Sequence, residues 1–250
     1  MSASGNTFLA AFSECVGAQI PTSARKRFDR AQRRFRKLNI RSCGALLREY
    51  ESLSRDEKFV ALCLFQFYRF RDALPLLFRE ISSRSALTGG AAAAAIVSIG
   101  GDKVVRRLIV LAKTTNAKHV RSYVLSVLGF VHDVDDPLPL AVFLTHVLAD
   151  PGEDVACRAS AADGLAGILE ETDRRTTVYR AAIKELMGGL DHSDPELRFC
   201  CVHTLGELRV KQSLKQLHVI AKTDNSECPG TGKVSSAARR AIKSIRGNDN

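Results

Sequence analysis

"DPELRFCCVHTLGEL" at residues 194–208 sets Leu197, Cys201, Leu205 and Leu208 three or four apart, the interval that lines one face of a helix. Arg198 lies in the first turn and Gly206 near the end. The pattern returns in "CRASAADGLAGIL" (157–169) and "VRSYVLSVLGFV" (120–131), with Arg121, Arg158 and Arg198 in register. Leu128, Leu165 and Leu205 follow in step, then Gly129, Ala166 and Gly206, then Val131, Ile168 and Leu208. "GGAAAAAIVSIGG" (89–101) aligns with Ala92 in the arginine's place. "KFVALCLFQFY" (58–68) and "VSSAARRAIKSIRG" (234–247) are poorer copies. The opening stretch is therefore one copy of a recurring unit, about five or six in all.

Each copy is followed by a second apolar-periodic segment. These are "RDALPLLFREIS" (71–82), "DKVVRRLIVLAK" (102–113), "DPLPLAVFLTHVL" (136–148), "DRRTTVYRAAIKELMGGL" (173–190) and "VKQSLKQLHVIAK" (210–222). Leu108 and Leu111, Leu140 and Leu144, and Leu214 and Leu217 repeat at helical intervals. Several segments begin at Asp, and Pro75 and Pro137 fall in first turns, where a missing N–H costs little. No stretch alternates apolar and polar residues as a strand does, so an all-α chain is expected.

Paired helices, the first closed by a small residue and preceded by "DPELR" or "EDVACR", resemble HEAT repeats. The match is to the shorter bacterial variety, which includes relatives of bilin lyases, and it spans roughly residues 54–247. Asp194 and Asp154 stand where that family places an Asp before the arginine; Asn116 or Lys118 replaces it in the copy at 120–131. The resemblance implies an α-solenoid, a curved stack of helical hairpins whose usual work is binding other macromolecules. The physics runs parallel: one hairpin cannot bury its apolar face, and neighbours laid side by side can. Gly129 and Gly206 recur at one register and suit either a sharp turn or a close backbone approach.

The chain has 250 residues and 45% hydrophobic content, enough for a substantial core. Its greasiest stretch, "PLPLAVFLTHVLA" (137–149), is too short to span a bilayer. "MSASGNTFLAAFSECVGAQIP" has no positive charge ahead of its apolar patch, so no secretory signal is expected. Seven cysteines without regular spacing suit reduced thiols and a cytoplasmic protein, with Cys157 and Cys201 acting as small core residues.

Chemistry is poorly represented. None of the six histidines forms an i, i+4 pair with another, and neither CxxC nor HExxH occurs. "HDVDDP" (132–137) lacks the glycine and distal glutamate of a calcium loop and reads as an inter-helix turn. "SIGGDK" (98–103) follows no strand. "CPGTGK" (228–233) lacks the first glycine and the Ser or Thr of a phosphate-binding loop. HEAT-like deoxyhypusine hydroxylases hold iron through His-Glu dipeptides, and the chain has none. No enzyme, metal or cofactor is expected.

What remains is charge. The net +10 is concentrated in "RKRFDRAQRRFRKLNIR" (25–41), which alone sums to +8. Residues 1–53 are read as a helical extension, 54–247 as the repeat body. Within the basic segment Arg30, Arg33, Arg34, Arg36 and Lys37 are candidate partner contacts. On the second segments, which line the inner curve of such a solenoid, the candidates are Arg106, Arg107, Arg174, Arg175, Lys211 and Lys215. Arg180 and Lys184 share the segment of Arg174, whereas residues 136–148 carry no Lys or Arg, a gap in any basic track. The expected function is a non-enzymatic scaffold that holds another protein on its concave face. Nucleic-acid binding through the basic segment and the inner Lys and Arg is the alternative; HEAT-like DNA glycosylases show that use, but their site needs tryptophan, and this chain has none. Bilin handling rests on the resemblance alone. No oligomeric state is implied.

Overall fold

The computed structural model describes residues 40–83, 85–229 and 231–247. It divides into two compact units, the chain passing from one to the other between Ile99 and Gly100. Both are helical, and the only strands among the described residues are a two-residue pair.

The first unit holds α1 (Ile40–Glu49), α2 (Arg55–Phe67), α3 (Leu74–Glu80) and α4 (Ala86–Ile99). Helix α2 starts in a capping box: the Ser54 hydroxyl accepts from the Glu57 amide, and the Glu57 carboxylate accepts from the Ser54 amide at 3.0 Å. It packs on α1 and α4, and α3 packs on α4. Ala92 and Ala95 lie fully buried in α4, small enough to let the helices approach, around a core of Leu62, Phe65, Leu77, Ile96 and Ile99.

The second unit holds α5 (Asp102–Thr114), α6 (Lys118–Leu128), α7 (Leu138–Ala149), α8 (Val155–Glu170), α9 (Thr177–Gly189), α10 (Pro195–Glu207), α11 (Leu214–Thr223) and α12 (Val234–Arg246). Every first and second segment read from the periodicity is a helix. Glu227 pairs with Lys233 and Cys228 with Gly232 in a short antiparallel ladder leading into α12, so "CPGTGK" lies largely within a small hairpin. Asp154 and Asp194 cap α8 and α10, the latter accepting from Glu196 at 2.8 Å and Leu197 at 3.1 Å. The cap of α9 is Thr176, which accepts from the Tyr179 amide at 3.1 Å; the Asp173 carboxylate is taken instead by Arg175. Pro137 occupies the N-cap of α7 and Pro139 its first turn.

First helices pack on first helices, α6 on α8, α8 on α10 and α10 on α12, while α7 packs on α9. Each second helix also packs on the first helix of the following copy: α5 on α6, α7 on α8, α9 on α10, α11 on α12. The two helices within one copy approach each other less closely. The register arginines supply the reason. Arg121 donates to the Ala112 carbonyl, Arg158 to Leu148 at 2.9 Å and Arg198 to His192 at 2.7 Å; in the last copy Arg239, one residue past the register position, donates to Ala221 at 2.8 Å. Each arginine thus satisfies a carbonyl at or just past the end of the preceding second helix, where the chain leaves acceptors without intrahelical donors. Two of them also reach forward, Arg121 to Glu153 and Arg198 to Asp224 at 2.7 Å. Lys118, at the place of the missing Asp, pairs with Asp154 at 2.8 Å.

At Gly129 the two readings of a recurring glycine separate. Its φ is −68°, an ordinary helical value, so no left-handed turn needs it. A Cβ would instead penetrate the Gly164 carbonyl of α8; at Gly206 it would lie 2.6 Å from the Ala241 Cβ of α12. Close approach is the reason for both. Gly100 and Gly101 are left-handed, φ 64° and 91°, which lets the Gly101 amide donate to His132 at 2.8 Å.

One turn occurs in both units. Arg69 and Arg209 adopt φ 46° and 52°; the next residues, Phe70 and Val210, return their amides to Phe65 and Leu205 at 2.9 and 3.0 Å. A single 3-10 turn then leads into α3 and α11. "YRFRDAL" (68–74) and "LRVKQSL" (208–214) are thus the same device.

Candidate functional site

The second helices expose the side chains of interest. Arg106 and Arg107 stand on the open side of α5, and Lys113 lies over the Phe143 ring of α7 at 5.3 Å. Helix α7, the one without Lys or Arg, leaves Leu138 and Val142 in water. Val110 on α5 and Val219 on α11 are each 57% exposed. The gap foreseen in a basic track is thus an apolar stretch.

The basic groups gather further on. A hollow of about 820 Å³ lies between α9 and the turn that joins α10 to α11. Arg174, Arg180, Lys184, Arg209 and Lys211 line it, and no carboxylate does. Tyr179, Ile183, Met187 and Val210 make its apolar lining, all but Met187 buried. Local folding explains the assembly. Thr176 starts α9 so that Arg180 and Lys184, one turn apart, share a face. The left-handed Arg209 turns the chain so that Lys211 follows on the same rim. Arg174 is anchored by donating to the Leu208 carbonyl at 3.3 Å.

Of the residues expected from sequence, the hollow unites Arg174 and Lys211. Arg175 faces Asp173 in an exposed ion pair at 3.0 Å, and Arg106, Arg107 and Lys215 lie outside the lining. Arg30, Arg33, Arg34, Arg36 and Lys37 fall outside the described residues. Arg209 was missed because it sits past the helix end, where periodicity stops. The signal available was the repeated order apolar, Arg, apolar, cation in "YRFR" and "LRVK".

Groups that would carry chemistry have structural work. Cys157 and Cys201 are fully buried, as expected of core residues. Burial pushes the Cys43 and Cys157 thiols up to about 11 and Cys201 to about 12, and raises Cys200 as well, so they stay protonated at neutral pH. In "HDVDDP" the Asp136 carboxylate accepts from the Leu138 amide at 3.0 Å, and the Asp135 amide donates to Asp102 at 3.1 Å. Among the described residues no three His, Cys, Asp or Glu side chains are grouped as metal ligands are, and no helix is long and apolar enough to cross a membrane.

Compared with protein-family models and with curated proteins, the chain matches none.

Proposed function

We propose that residues 54–247 form a HEAT-like α-solenoid of about five or six hairpins, and that the protein is a non-enzymatic cytoplasmic scaffold. It holds another protein against its second helices, the concave side of such a fold. The observation that carries this reading is what those helices leave in water: Val110, Leu138, Val142 and Val219 are exposed on α5, α7 and α11. Large aliphatic side chains left exposed along these helices suit a protein surface; on the first helices the exposed large apolar groups are aromatic, Phe67 and Tyr123. The turn shared by 68–74 and 208–214, and the four arginines that each close the preceding helix, support the repeat architecture.

A photo-crosslinking residue placed at Val110, Val142 or Val219 tests the function. Protein adducts are expected from these three positions and not from exposed Tyr123 or His203 on first helices. Equal labelling of both sets, or none from the second helices, overturns the scaffold reading. Adducts that vanish on nuclease treatment favour the alternative, nucleic-acid binding. That alternative draws on the basic hollow, and against it stands α7, where Leu138 and Val142 interrupt the cations.

A further inference from the structure

We infer that the hollow between α9 and the 209–212 turn docks an acidic peptide segment that carries apolar side chains. The inference rests on the scaffold reading and names the chemistry of the partner at one place on that surface.

Its first support is a contrast in how the chain treats its cations. Arg121 meets Glu153, Lys118 meets Asp154, Arg175 meets Asp173 and Arg198 meets Asp224. Around the hollow five cations gather with no carboxylate among them. The side chains of Arg180, Lys184, Arg209 and Lys211 make no ion pair or hydrogen bond among the described residues, and that of Arg174 meets only a backbone carbonyl. Five like charges converge on one recess where each raises the potential felt by the others. A ligand that supplies carboxylates relieves that repulsion, and guanidinium groups pair with carboxylates through two parallel hydrogen bonds.

The second support is the floor. Ile183 and Val210 lie buried beneath the cationic rim with Met187 half-buried beside them. Methionine adapts its shape to an incoming aliphatic group. A phosphate backbone would use the rim and leave the floor idle. Glutamates or aspartates interspersed with leucine-like residues use both parts. A recess of about 820 Å³ holds a short stretch of such a segment. The chain's own 25–41 segment, net +8, has the wrong sign to fill it.

The test uses the full chain and three fluorescent probes of equal charge: a peptide alternating pairs of glutamate and leucine, an all-glutamate peptide, and a single-stranded oligothymidylate. Fluorescence anisotropy at low salt is expected to rank the glutamate–leucine peptide first, by about tenfold or more over all-glutamate. Arg180→Glu with Lys184→Glu should weaken it about tenfold or more, and Met187→Ser should shrink the advantage of leucine. Lys103→Glu with Arg106→Glu makes the same change of charge outside the hollow and should leave binding near the wild-type value. Arg180→Gln with Lys184→Gln gives the same direction of change without new carboxylates and guards against misfolding. Equal loss in the two reversal variants, or no preference for leucine, overturns the inference. So does tightest binding of oligothymidylate with sensitivity at Arg180 and Lys184, which marks a phosphate site. If crosslinking from Val110, Val142 and Val219 persists while the peptide arm fails, the scaffold reading stands and only the acidic partner falls. If peptide binding holds and crosslinking fails, the reverse is concluded.

Discussion

Helices α6, α8, α10 and α12 meet one another through glycine, alanine, serine and threonine, whereas α5, α7, α9 and α11 leave valines, arginines and lysines in water. Gly129 lies against Gly164, Ser122 against Ser160 at 2.7 Å, and Gly206 against Ala241; the buried Thr204 hydroxyl donates to the Ala162 carbonyl at 2.8 Å. On the other set, Arg106, Lys184, Lys215 and Val219 touch water. Both sets follow the same apolar spacing, so amphipathicity does not separate them. Side-chain size on the packed face does. Where backbones touch, nothing flexible remains to absorb a change. Where long side chains face solvent, change is tolerated and recognition can vary.

The contrast is broken most severely by Gly129→Val. The new side chain would have to displace the Gly164 backbone, and a loss of more than about 3 kcal/mol is expected, read by denaturant unfolding. Next comes Arg198→Ala, which deprives two carbonyls and Asp224 of their donor. About 2–3 kcal/mol should be lost, less than for a wholly buried pair because Arg198 and Asp224 keep 14% and 12% exposure. The same pair sets a pH dependence. Burial raises the Asp224 carboxyl, but hydrogen bonds from Arg198 and Ser226 outweigh it and hold it below the usual carboxylate range. A lowered folded-state pKa stabilises above the unfolded value, near 3.9, and is lost as pH falls through the lowered one. The stability gap between the wild type and Asp224→Asn should therefore be constant near neutrality and narrow below about pH 4.

Thr204→Val keeps the shape and removes one buried hydrogen bond, for about 1 kcal/mol. Smaller still, and of opposite sign, is Gly188→Ala on α9. A Cβ there meets nothing within 4 Å, so the substitution should stabilise by up to about 1 kcal/mol through helix propensity. Arg175→Ala, which removes an exposed pair, should leave the melting temperature unchanged. Loss at Gly188 or tolerance at Gly129 would erase the distinction between the two sets.

The helices were legible because an apolar face repeats every three or four residues whatever it packs against. The register of Arg121, Arg158 and Arg198 was equally visible, since one role recurs at one position. Their role was not: an arginine in a first turn looks like a solvated charge until the end of the preceding helix is placed beside it. The pairing phase was hidden for the same reason, because periodicity marks a buried face without naming the neighbour that covers it. Of the hollow, Arg174 and Lys211 were anticipated on helical faces. Arg209 was not, because its direction comes from a left-handed backbone angle in a turn.

The chain by itself determined a mostly helical fold, the place of the helices from α2 to α12, the burial of Cys157 and Cys201, and the absence of cations on α7, all local consequences of residue size, polarity and spacing. Tertiary structure alone decided which glycines are close approaches, which carbonyl each arginine closes, and that Arg174, Arg180, Lys184, Arg209 and Lys211 share one recess. Those are distances between residues far apart in sequence, and only the packing of backbones against one another sets them.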